Sequence, residues 1–395
     1  MKAYQVSLLL TALMVVMTGC EYDVKQPLWY QDFQNPPTPV ITQIEPPRAI
    51  AGVNTITIRG ENFATPPATN DVYFDNLPAE IVETSATSIK VRRPNLVTDS
   101  CTIKVVSSQA LVVAKYGPYR IDPVMVRYGA FLENTVLSVV AVDSAENLYV
   151  VEAASLNVYK ITPEGDKTII ATVTRAPTDA SIGPDGNLYL PGYSRAIEKV
   201  NLTTGVVERW TQLPAGKNVK YGDFDAQGYF YTGGTRTDLV VVPFNLATTP
   251  TSAGFYATEE ILAIRVYHGY IYVASRTSTK PAKIWRHPLD ANGNVGSQEL
   301  VLDMSETGEF SSRLIKAITF SANGTLYLAT DSPNPLLSVD PATQTVDFFY
   351  KNILPPYCKH FSWGNGTYLY LISGNTSPAQ EWTVYRVDMG TKSAS

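Results

Sequence analysis

One hairpin is written six times along this chain, and that repetition constrains the fold more than any other feature. Each copy has an apolar strand, a short turn, and then a large apolar residue directly before a tyrosine: Leu148-Tyr149, Leu188-Tyr189, Phe230-Tyr231, Ile271-Tyr272, Leu326-Tyr327 and Leu369-Tyr370. The pairs are spaced by 40, 42, 41, 55 and 43 residues. A period near forty with several strands per unit predicts stacked blades, because a single blade cannot bury its own faces and a ring of them can. After each pair a polar loop leads to a third strand, as in NVYKITP or LLSVDPATQTV, and a fourth follows in KTIIATV and VVERWTQL. The reading is a six-bladed β-propeller over residues 122–395. The long interval marks an excursion around Val295 to Ser312. The sixth unit ends at YRVDMG without a fourth strand, and the segment 122–131, DPVMVRYGAF, precedes the first unit unassigned. It is expected to complete the last blade and close the ring, removing exposed sheet edges.

Upstream, residues 40–121 alternate short strands with turns, and Thr55-Ile56-Thr57-Ile58 has the two-residue period of a half-buried strand. Several such strands within some eighty residues fit a β-sandwich. GVNTITIRGENF, VYFDNLPAEIV, SATSIKVRRP and CTIKVVSS together resemble an IPT/TIG immunoglobulin-like domain, including Pro46, Gly52, Gly60, Asn62, Phe63 and Pro94. The fold class expected for the whole chain is therefore all-β, a sandwich followed by a propeller. The resemblance implies a spacer or binding module. Cys101, in a strand pattern, reads as a small buried residue.

The first twenty residues carry a basic Lys2, an apolar run from Val6 to Met17, and small residues before Cys20. This is the layout of a signal peptide over residues 1–19, too short in its apolar core for a comfortable membrane span. Met17-Thr18-Gly19-Cys20 resembles a bacterial lipobox, with Met17 in place of the more usual Leu. Lipid on Cys20 would anchor the chain, each buried methylene adding roughly 0.8 kcal/mol. The resemblance implies an envelope lipoprotein, on an outer membrane, facing the periplasm or the outside. Residues 20–39 read as a proline-rich tether, with Trp29 and Tyr30 either packing back or meeting a partner. A net charge of -5 excludes a strongly basic nucleic-acid binder, and three cysteines are too few for a disulfide framework.

The repeats, in wording such as DGNLYL and NGTLYLAT, resemble NHL and virginiamycin B lyase-like propellers, and this fold serves binding proteins and enzymes alike. Lactonase-like propellers imply a divalent metal held by acidic or Asn side chains near the start of inner strands. Ten residues before each Leu-Tyr pair, or nine in the fourth unit, stand Ser138, Thr178, Lys220, Leu262, Lys316 and Lys359, with no carboxylate. Three ammonium groups would oppose a cation. Glu152, Asp223, Asp225 and Asp331 read as turn caps or solvated groups. Lyase chemistry would need paired His and Glu; of His268, His287 and His360, only His360 begins an inner strand. No catalytic set, metal site or cofactor is expected.

The three lysines instead suggest a cationic mouth. Arg195, Arg236 and Arg276 lie in loops expected on the same face, so six cations would concentrate anionic ligands there. His360 belongs to the same candidate site, and Trp363 and Trp382 would add stacking surfaces for a sugar. The expected function is non-catalytic binding of a glycan or an envelope protein. A metal-dependent lactonase- or lyase-type enzyme is the alternative.

Overall fold

The tyrosine of the first three repeated pairs is explained by the turn that precedes it. At the end of the first inner strand, Asp143 accepts the backbone N–H groups of Ala145 and Asn147 and the Asn147 side chain, each at 2.9 Å. The buried Tyr149 hydroxyl donates to the same carboxylate at 2.9 Å. Asp185 with Tyr189 and Asp225 with Tyr231 repeat the clasp at 3.1 and 2.9 Å. Burial, together with the adjacent carboxylate, pushes all three phenols above their ordinary pKa, so they remain donors. In the fourth unit the turn shrinks to His268-Gly269, both with positive φ, and no clasp is required.

The computed structural model describes residues 37–394 except 67, 68, 133, 247, 248, 341 and 376–380. The signal peptide, Cys20, Trp29 and Tyr30 lie outside the described residues. Among those described, every sheet has four strands. Two face each other in the sandwich: one is built from Val40–Glu45, Thr55–Glu61, Ser88–Arg92 and Ile81–Thr84, the other from Leu77–Ala79, Asn70–Phe74, Thr98–Ser107 and Ala114–Ile121. Ile56, Ile58, Ile89, Val91, Ile103 and Val105 fill the space between them. Gly60 is needed by contact: a Cβ there would lie 1.9 Å from the Val40 carbonyl oxygen and 2.5 Å from the Phe63 ring. Cys101 is buried in this core, which pushes its thiol up to about 11.

The other six sheets are the blades, each meandering outward from an inner strand. The inner strands are Leu137–Val142, Ser181–Ile182, Tyr221–Phe224, Glu260–Tyr267, Ile315–Phe320 and Cys358–Trp363. Apolar side chains interdigitate between neighbours, as where Leu262 and Tyr272 of blade four meet Phe320 and Leu328 of blade five. The sixth blade takes Met125–Tyr128 as its outermost strand, with Val126 opposite Arg386 and Tyr128 opposite Val384. The long interval in blade four contains its outer strand, Glu299–Asp303, followed by two short 3-10 turns.

The sandwich is fastened to blades five and six. Arg92 meets Asp347 in a two-pronged pair at 2.6 and 2.8 Å, and Asn54 bonds both Phe348 O and the Tyr350 N–H. The buried Tyr350 hydroxyl accepts from Gly52 N–H and donates to Asp388 O, while Lys351 reaches Glu80 at 2.8 Å.

Candidate functional site

The inner strands place two tiers of side chains around the channel axis, and a local irregularity decides which residues these are. In four blades the strand register shifts at the start of the inner strand, between Leu137 and Val139, Ile261 and Ala263, Ile315 and Ala317, and Cys358 and His360. Simple alternation counted back from the Leu-Tyr pair fails across such a bulge. The waist of the channel is lined in one tier by His360, beyond such a bulge, and by Asp179 and Tyr221 of the two unbulged blades, among small apolar residues. The next tier supplies Ser181, Asp223, Arg265, Thr319 and Ser362.

The polar groups at the waist satisfy one another. His360, almost fully buried, donates from Nε2 to Asp179 Oδ1 at 2.8 Å, and its Nδ1 accepts the Val140 N–H at 3.3 Å. Those partners assign a neutral ring protonated at Nε2. Asp179 Oδ1 also accepts from Ala180 N–H, and Oδ2 from Gly222 N–H at 2.9 Å. On Asp223, Oδ1 takes the Phe224 N–H and Oδ2 the Val266 N–H at 2.9 Å, with Arg265 Nη1 3.4 Å away. Burial raises the pKa of Asp223, and Arg265 and the backbone donors pull it back. The waist encloses only about 40 Å³.

The six expected cations divide into distinct groups. Lys220 and Arg276 close on one carboxylate, Glu260, both at 3.1 Å, so they form a paired cluster that keeps one positive charge rather than two free cations. Lys316 lines the waist, 3.9 Å from Asp331. Lys359 donates to Leu137 O at 2.6 Å and lies 5.5 Å from the Trp382 ring centre. Burial lowers the Lys359 pKa, and the charge of Lys316 lowers it further, which places these two ammonium groups within electrostatic reach. Arg236 is exposed on a left-handed turn, its N–H bonded to Glu259 O, and Arg195 is half-buried with its carbonyl accepting from Leu213 N–H. Trp363 packs edge-on to Tyr327 between blades and borders the waist; Trp382 packs against the cluster of Leu137, Val140 and Tyr370.

On the far side, where inner strands end in turns, the channel widens to a basin of about 750 Å³. Phe224, Tyr267, Trp363 and Pro184 form walls, and Asp223, Arg265 and Ser362 are shared with the waist above. The sequence had singled out Trp363 and Asp223 but offered no signal that they share a basin, since its other wall residues belong to turns of different lengths. Asp179 and Arg265 were equally hidden, each lying next to or beyond a position found by counting.

The sandwich that carries Gly60, Asn62 and Phe63 can now be compared with known domains. Residues 39–119 match the IPT/TIG domain. No curated protein matches the chain. Among solved structures, the TIG sandwich and propeller together resemble auxiliary nutrient binding proteins from Bacteroides ovatus (TM-score 0.51) and Bacteroides thetaiotaomicron (TM-score 0.50). Each is 11% identical and aligns over 90% of this chain and 99% of its own. A gluconolactonase from Xanthomonas campestris aligns over 82% of this chain and 98% of its own, at 11% identity and a TM-score of 0.53. At such identities the likeness is one of fold.

Lactonase-type propellers raise the question of a metal. Both oxygens of Asp179 and of Asp223 already accept protein donors, and Arg265 stands beside the second. Among the described residues no group of three or more His, Cys, Asp or Glu is placed to hold a metal. The waist does not fit a metal site.

Proposed function

We propose that the chain is an envelope lipoprotein, held to a membrane by lipid on Cys20, whose propeller binds a glycan or envelope protein without transforming it. The observation that carries the non-catalytic reading is the commitment of His360. With one nitrogen accepting from Val140 N–H and the other donating to Asp179, neither is free to take a proton from a bound molecule. Two of the solved structures that align over 90% of the chain are named as nutrient binding proteins, which favours the same reading. Lys316 and Lys359, with the half-buried Arg195 and exposed Arg236 nearer the surface, remain the candidate cationic mouth for an acidic ligand.

The test is titration calorimetry of soluble residues 21–395 with neutral and acidic polysaccharides, at low and moderate salt, followed by mass analysis of the recovered ligand. Binding that leaves the ligand chemically unchanged and is indifferent to chelator supports the proposal. Turnover of a lactone or glycan that requires added divalent metal overturns it in favour of a lactonase- or lyase-type enzyme. Loss of membrane association in Cys20→Ser tests the anchor.

A further inference from the structure

The basin on the turn side is a blind funnel. Its wide end is bounded by turns of several blades, and its narrow end runs into the waist, where the His360–Asp179 bond and the Asp223–Arg265 pair close the axis. At about 750 Å³ it has the size of sites that enclose small organic ligands, typically a few hundred to a thousand Å³.

Its floor holds one carboxylate, one guanidinium and the hydroxyls of Ser181 and Ser362. The Ser181 hydroxyl donates to Gly222 O, which leaves its oxygen able to accept. Arg265 spends one nitrogen on Asp223, at 3.4 Å, and its other N–H groups have no protein partner among the described residues. A guanidinium with spare parallel donors beside a fixed carboxylate suits neighbouring hydroxyls, since one group donates and the other accepts. The Asp223 and Arg265 charges cancel, and Asp225 and Asp290 leave the lining net negative, so the basin favours a neutral ligand over an anion.

The walls supply the complementary chemistry. Phe224, Tyr267 and Trp363 are aromatic, and Tyr267 is fixed between Phe320 and His268, with ring centres 4.3 and 4.1 Å from its own, so that it presents its edge. A wall held in place before binding loses little freedom when a ligand lies against its edge. A molecule with a hydroxyl-rich edge and an apolar face, narrow at one end and continued at the other, matches this lining.

We propose that the turn-side basin is a second binding site, distinct from the cationic mouth, that takes the terminal ring of a neutral glycan end-on. Arg265, Asp223 and Ser362 meet its hydroxyls, and the ring edges of Phe224 and Tyr267 border it. This inference rests on the glycan-binding reading above and adds the face, the floor and the neutrality of the ligand.

The experiment titrates soluble residues 21–395 with neutral trisaccharides of gluco, galacto, manno and xylo configuration. Ala226 and Ala291 are exposed residues at the basin rim, so Ala226→Trp and Ala291→Trp narrow it without disturbing the core. Both are expected to weaken binding of the preferred trisaccharide by about tenfold or more with an unchanged melting temperature, and Arg265→Gln to weaken it as much with a lower melting temperature, because Asp223 loses its cation. Arg209→Gln, at an exposed position on the outer strand of blade two, is expected to bind it as the parent does. Parental affinity in both tryptophan variants would overturn the basin site. So would absence of binding to every neutral trisaccharide; if acidic polysaccharides still bind, the basin fails while the broader glycan reading survives.

Discussion

At the residue scale the Tyr–Asp clasp joins a local turn to the blade core. A buried phenol that donates to a carboxylate is worth more than a neutral pair, and its loss leaves that carboxylate short of a donor. Tyr231→Phe keeps the ring but strips Asp225, which is 7% exposed, of one partner. The expected cost is about 2 kcal/mol. Tyr189→Phe should cost about 1 kcal/mol, because Asp185 is more open and keeps Lys199 at 3.0 Å. Urea unfolding of both variants measures the difference, and equal or absent losses would remove the clasp as the reason for the repeated tyrosine. The tyrosines were legible because they recur at a fixed period. Their role was only half legible: Asp143, Asp185 and Asp225 stand at matching places, while Ser321 and the short His268-Gly269 turn break the pattern. His360 could be placed at an inner-strand start, but its partner Asp179 is remote in sequence and no local pattern pairs them.

At the scale of elements, the outward order of strands followed from the periodic signal, and so did the use of Met125–Tyr128 to complete the last blade. What escaped was the bulge at the start of four inner strands, because a shifted register leaves no mark on the apolar–Tyr pair downstream. The outer pair of blade four offers a pH test. Lys283 lies 2.6 Å from Asp303 and, with Ser305, pulls the carboxyl down to about 2. A depressed carboxylate pKa stabilises the fold fully above its ordinary value near 3.9 and loses that contribution as pH falls through the folded value. Lys283→Met should therefore be less stable than the parent at neutral pH, with the gap closing between about pH 4 and pH 2. Thermal melts across that range decide it; a gap that stays constant, or widens in acid, would rule the pairing out as its cause.

At the scale of the whole molecule, the TIG sandwich and the ring are joined by directional polar bonds rather than by a linker alone. The parent is expected to melt in one transition. Asn54→Ala/Arg92→Ala removes four of these bonds, leaves Asp347 without its guanidinium partner, and should split the melt into two, with new protease cuts between residues 119 and 125. A single sharp transition in the double variant would show that the two parts are coupled some other way. The bulged inner strands have a wider consequence. The clasp sits at the turn ends of the blades, whereas the channel tiers occupy other positions beyond the irregularity, so the two sets of residues answer to separate demands. A lineage can therefore change what its ring captures while conserving every hairpin, and specificity can drift silently beneath an unchanged scaffold. Grafting new side chains at Ser181, Thr319 or Ser362 would retune the occupant without reopening the question of how the chain folds.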